Sequence, residues 1–281
     1  MNTLPAVAKT VRLAQNPALP HQTVFPVENP ILYEQPLNER MRTFLRLEQL
    51  FRQTRYSLGG FAMWDSRHSV HGLIEILELL ARGDLKNEIL KELERLQASL
   101  TALQDLPGVD QAQLGNVLHQ LQQAEAEVHG HSGQFGQHLR DNELLASIRQ
   151  RTSIIGGDCN FDLPAYHHWL SRDPEKRIAD LESWLATLDP VIQPISMILA
   201  ILRESADARE QQAAGGFYQQ NLDPAQPVQL LRIQLPQALD VFPEISAGKH
   251  RFSIRFLEPR GSERPVQTDQ NVDFLLSLCA L

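Results

Sequence analysis

The residues with the clearest capacity for chemistry are arginines, and the chemistry they suit is gripping carboxylates. Between positions 40 and 55 lie Arg40, Arg42, Arg46, Arg52 and Arg55 against Glu48 alone, so +5 − 1 = +4. The whole chain carries 26 Lys+Arg and 34 Asp+Glu, a net −8, so this positive charge is focused rather than diffuse. Arg42 and Arg46 are four apart and share a helix face, offset from Met41 and Leu45. A guanidinium is a planar fork that binds a carboxylate at two points. An ordinary solvated face would carry such a run too. Arg140, Arg149 and Arg151 bracket a later helix. Arg232, Arg251 and Arg255 sit in alternating segments, with Arg251 and Arg255 pointing the same way. If those strands are neighbours, the wet face of their sheet is basic; arginine is also good edge protection.

Other chemistry is poorly represented. There is no G-x-G-x-x-G after a strand, no phosphate loop, no H-E-x-x-H and no G-x-S-x-G. Ser246 and Lys249 match S-x-x-K without its companion motifs. His129 and His131 flank a glycine and His167 and His168 are adjacent, but no cysteine or carboxylate set completes four ligands. The expectation is therefore no metal and no cofactor. Cys159 and Cys279, 120 positions apart, read as unbridged thiols of a reducing compartment.

The elements that must position these groups follow from hydrophobic period. Leu37, Met41, Phe44, Leu45 and Phe51 recur at helical spacing behind Asn38 as N-cap, and Gly59-Gly60 stops that helix. Further helices are predicted over 69–81, from Asp84 to about Leu103, over Gln111–Val128, over Asp141–Arg151, from Pro164, and from Asp173-Pro174 to Leu188 with a break at Pro190. Val191–Glu204 is apolar around most of its circumference, so it is a central core helix or an interface helix. From about 206 the period becomes two: Leu231–Leu235, Arg251–Phe256 and Asn271–Phe274 alternate, which predicts antiparallel strands with one packed face. The predicted class is α+β, a mainly helical domain over 37–204 followed by a small antiparallel β domain over 205–281. The strand 31–35 is expected to join its sheet. Residues 1–30 read as a flexible arm, with Pro5, Lys9 and Arg12 breaking any secretory signal. No stretch approaches the ~20 apolar residues of a membrane span. At 281 residues and 42% hydrophobic, the chain can bury a core without staples.

Several long strings resemble one family. Glu34-Gln35-Pro36-Leu37-Asn38-Glu39-Arg40-Met41-Arg42-Thr43-Phe44-Leu45-Arg46 is similar to the N-terminal signature of the ZapD cell division proteins. Leu106–Gln111, Ile148–Gly157, Cys159–Pro164, Gly216–Gln219 and Lys249–Phe256 continue the resemblance in collinear order over about 31–257. It implies a non-enzymatic cytosolic homodimer with a helical and a β domain. It implies binding to the C-terminal tail of FtsZ, filament bundling and support of the Z-ring at mid-cell, with no cofactor, nucleic acid or membrane insertion. By that resemblance the basic residues of the matching strings carry over as tail-binding candidates: Arg42, Arg46, Arg82, Arg149, Arg151, His167, Arg251 and Arg255. One departure is Asp141-Asn142-Glu143 after Arg140, where the family pattern would place another basic residue. Two other classes stand beside this reading. One is an enzyme using the His167/His168 region; the other is a module binding RNA or another acidic polymer through the same arginines.

Overall fold

The computed structural model describes residues 30–104 and 106–281, so the arm expected over 1–30 lies, up to residue 29, outside the described residues. The chain is α+β as its pattern predicts: helices first, then antiparallel sheets. Strand β1 (Pro30–Pro36) leads into α1 (Glu39–Leu58), α2 (Met63–Leu80), α3 (Leu85–Thr101), α4 (Gln111–Gly130), α5 (Gln137–Arg140), α6 (Glu143–Arg151), α7 (Pro164–Leu170), α8 (Pro174–Ala186) and α9 (Asp189–Glu204). Strands β2 (Arg209–Ala213), β3 (Phe217–Asn221), β4 (Leu230–Pro236), β5 (Phe242–Ala247), β6 (Arg251–Arg260), β7 (Glu263–Gln267) and β8 (Val272–Cys279) follow. The described residues form two compact units. One is Thr43–Arg95 with His119–Ile198; the other is the chain up to Arg42, Leu96–Leu118 and Leu199–Leu281.

Local chemistry explains the helix ends. Asn38 Oδ1 accepts the Met41 N–H at 2.8 Å, satisfying a donor the first turn of α1 would leave bare. Met41, Phe44, Leu47 and Phe51 form its buried stripe. Asp110 Oδ1 accepts from the amides of Ala112 (3.0 Å) and Gln113 (3.1 Å) to start α4. Pro164 and Pro174 occupy first-turn positions of α7 and α8, where a missing N–H costs nothing. Pro190, expected to break the chain between helices, lies instead inside the first turn of α9 for the same reason. The apolar residues of α9, including Val191, Ile195, Ile198, Leu199 and Leu202, are buried within the chain. Of the two roles its composition allows, α9 therefore has the core role. Among the described residues no single helix is long and apolar enough to cross a membrane. Gly72 allows α2 to approach α1: a Cβ there would lie 2.2 Å from Thr54 Oγ1.

The strands form two antiparallel sheets, ordered β1-β4-β8-β2 and β3-β6-β5, with β7 on β6. The lone N-terminal strand is an edge strand, running from Pro30 opposite Pro236 to Pro36 opposite Leu230. Leu231, Ile233 and Leu235 of β4, Phe252, Ile254 and Phe256 of β6, and Val272, Phe274 and Leu276 of β8 make one core. Side chains from both sheets meet there, as in a sandwich. Phe274 is its aromatic centre, 5.3 Å from the Tyr218 ring and 5.1 Å from Phe256.

Arg232 does not share a sheet with Arg251 and Arg255, so the three do not build one basic face. Arg232 faces Glu34 across the β1–β4 register. The Glu34 carboxylate accepts from Arg232 Nε at 3.0 Å and, at two points of 2.8 Å each, from Arg203 in the last turn of α9. Burial alone would raise the Glu34 pKa. The hydrogen bonds and charges of Arg203 and Arg232 outweigh it and hold the group below its ordinary value. Arg232 is a clamp on the N-terminal strand rather than a ligand for an outside partner.

Candidate partner-binding surface

The arginines of α1 divide by what they touch. Arg52 pairs with Glu48 at 3.3 Å and Arg55 with Asp189 at 3.0 Å. Arg42 is half-buried and pairs with Glu39 at 3.1 Å, one turn away in an exposed setting. Arg46 is exposed, lies beside the buried stripe rather than in it, and has no ion-pair partner among the described residues. Arg42 and Arg46 thus present two guanidiniums on one face of one helix, anchored below by Met41, Phe44 and Leu47. An exposed pair such as Arg42–Glu39 contributes little and exchanges readily for an incoming carboxylate.

A second group sits at the end of α6. Arg149 is half-buried and Arg151 exposed, the latter 3.6 Å from Asp162. Arg140 is already built into the fold, donating to the Phe135 carbonyl (2.9 Å) and to the amide oxygens of Gln134 and Gln137. Burial, then the like charge of Arg149, push Arg140 below the ordinary arginine pKa, with Asp141 pulling the other way. The departure at Asp141-Asn142-Glu143 has a structural use: Asn142 Oδ1 accepts the Leu145 N–H at 3.1 Å and caps α6. The short helix α5, which hydrophobic period does not announce, begins at Gly136 with φ of 69°.

On β6, Arg251 and Arg255 are exposed on one face while Phe252, Ile254 and Phe256 are buried on the other. Arg255 lies 4.0 Å from Glu244, an exposed contact of little consequence. Arg82 is exposed in the turn after α2, and His167 is exposed on α7. Among the described residues no hydrogen bond or ion pair joins Arg82 or His167 to the other candidates. The structure therefore sets Arg42 with Arg46 on one helix face and Arg251 with Arg255 on one strand face, whereas Arg149 and Arg151, two residues apart on α6, point to different sides of that helix.

Metal and thiol chemistry has a smaller footing. Glu94, Glu125 and His129 place one donor atom each within 4.8 Å of one another on a mostly exposed surface, three donors rather than a closed set of four. Cys159 and Cys279 are not joined in a disulfide. His131 stacks on Phe135, and its backbone carbonyl accepts from Lys86 Nζ at 2.7 Å.

Comparison with known proteins then fixes the family. A family model described as "ZapD: Cell division protein" matches residues 45–255. "Cell division protein ZapD" of Methylococcus capsulatus is 50% identical over 255 residues, covering 91% of this chain and all of the relative. The protein of the same name from Aromatoleum aromaticum is 41% identical over 251 residues, 89% of this chain and 98% of the relative. That from Klebsiella pneumoniae subsp. pneumoniae is 40% identical over 253 residues, 90% of this chain and all of the relative. The chain belongs to the ZapD family of cell division proteins.

Proposed function

We propose that this chain binds the C-terminal tail of FtsZ and, as a homodimer, cross-links FtsZ filaments in the cytoplasm at the mid-cell division site. It acts by binding alone, without turnover or a cofactor. The observation that carries this is Arg46, an exposed guanidinium beside Arg42 on a rigid helix within a member of a cell division family. Charge-assisted, two-point hydrogen bonds are the chemistry these groups offer an acidic segment. Arg149 with Arg151, Arg251 with Arg255, and then Arg82 and His167 are further candidate contacts.

A flexible tail must be ordered on binding, so a single site is weak, on the order of 1–100 μM. Titrating a labelled FtsZ tail peptide into the protein tests this directly. Saturable binding in that range, weakening as salt rises, supports the proposal. No binding at ~1 mM protein contradicts it.

A further inference from the structure

Away from the arginines, α3 and α4 bring three metal-ligating side chains together. Glu94 of α3 and Glu125 and His129 of α4 each place one donor atom within 4.8 Å of the others, two carboxylate oxygens and an imidazole nitrogen. All three belong to the same compact unit. Among the described residues no other three-donor set of His, Cys, Asp and Glu stands so close.

Helix geometry builds the set. Glu125 and His129 are four apart on α4 and share a face, with Glu125 Oε1 4.0 Å from His129 Nε2. Two ligands at this spacing on one helix face, completed by a carboxylate from a neighbouring helix, are how helical proteins hold a first-row divalent ion. The backbone beneath is fixed. Leu93, Ala124 and Val128, each next in sequence to a ligand, are buried. Lys86 Nζ, in the first turn of α3, donates to the His129 carbonyl at 3.2 Å and the His131 carbonyl at 2.7 Å, tying down the end of α4. Donors on fixed helices lose little freedom on binding an ion. Their tips stand at the surface, Glu94 and His129 exposed and Glu125 half-buried, so an ion has a path in.

Charge and donor type select the ion. His129 lies in the last turn of α4, where the negative end of the helix dipole favours a cation. The nearby cations are engaged elsewhere, Arg95 with Glu92 and Lys91 with Glu88. One imidazole nitrogen with two carboxylates suits zinc; calcium and magnesium take all-oxygen sets of about six or more ligands. Donors around a tetrahedral zinc at ~2.0 Å stand about 3.3 Å apart, so these side chains close by roughly an ångström on binding. Three protein donors leave the fourth position to water.

We propose that Glu94, Glu125 and His129 form a zinc-binding site that staples α3 to α4. The ion is a crosslink between helices rather than a reagent. The site is separate from the tail-binding arginines and does not depend on the function proposed above. Its sequence signal is partial: the Glu125–His129 spacing is legible on one helix, while Glu94 joins only through the fold.

The test is calorimetric titration of zinc chloride into the full, untagged chain after chelator treatment, with thermal unfolding as a second readout. The parent should bind one zinc per chain, and saturating zinc should raise its unfolding midpoint. His129→Ala and Glu94→Gln should each weaken zinc binding about 10-fold or more and lose most of that rise. Both side chains are exposed, so the metal-free variants should unfold at the parent's midpoint. His119→Ala, which removes an exposed histidine of α4 outside the set, should bind zinc as the parent does. Calcium should raise no midpoint. A parent that takes up no zinc at ~100 μM overturns the site. So do His129→Ala and Glu94→Gln variants that bind like the parent, which would place the zinc on other surface histidines.

Discussion

Arg46 is the single side chain on which tail binding should depend most. It is exposed, off the buried stripe, and without an ion-pair partner among the described residues. Arg46→Glu should weaken FtsZ binding about 10- to 100-fold, the loss of a charge-assisted contact, with unchanged helix content. Arg46→Lys should restore it only partly, because a point charge replaces a fork; peptide titration reads both. Glu34 makes the opposite case, a charge whose work is internal. Glu34→Ala removes the half-buried carboxylate that Arg203 and Arg232 share and should cost ~3–5 kcal/mol, read as a fall in the urea midpoint. Its pH dependence has a definite sign. The folded-state pKa is lowered, so the stabilisation is fully present above the ordinary carboxylate pKa and is lost as pH falls through the lower folded value. Urea midpoints of parent and Glu34→Gln should therefore converge on acidification. The arginines themselves were legible in the sequence, but which of them were already engaged was not. Arg232 and Glu34 are 198 residues apart and Arg55 and Asp189 are 134 apart, and no local pattern announces such pairs.

At the scale of elements, caps and glycines carry the testable content. Asn38→Ala removes the acceptor for the Met41 amide and should destabilise the protein by ~1 kcal/mol. Gly72→Ala drives a methyl into Thr54 and should cost about 1–3 kcal/mol; Thr54→Ala in the same chain should recover part of it, a coupling that a double-mutant cycle measures. Elements with a strong apolar period were readable in advance: α1 from its stripe and Asn38, and β4 and β6 from alternation with a buried face, whereas β8 alternates only at its start and is then buried through Phe274–Ser277. β7, with four of five residues exposed, has no buried face and so no period to read, and β2 buries only Ala213. Helix α5 is a single turn set by a left-handed glycine, too short for periodicity to show. The full exposure of Ile155 was visible only as the start of a Gly-Gly turn, because exposure is a property of the fold and not of residue type.

At the scale of the whole molecule, the proposed dimer of weak tail sites would become a tight filament cross-linker through effective concentration. With one subunit engaged, the other would meet a neighbouring filament's tails with expected avidity gains of ~10²-fold or more and no new contacts. Salt screens such contacts over about 8 Å at physiological ionic strength, so bundling should fall more steeply with salt than single-peptide binding does. Light scattering of FtsZ filaments across a salt series checks this. The most direct measurement is co-sedimentation of the full chain with polymerised FtsZ, intact and lacking its C-terminal tail. The account predicts that the chain pellets with intact filaments, bundles them, and stays in the supernatant when the tail is removed. Equal pelleting with tail-less filaments would contradict it.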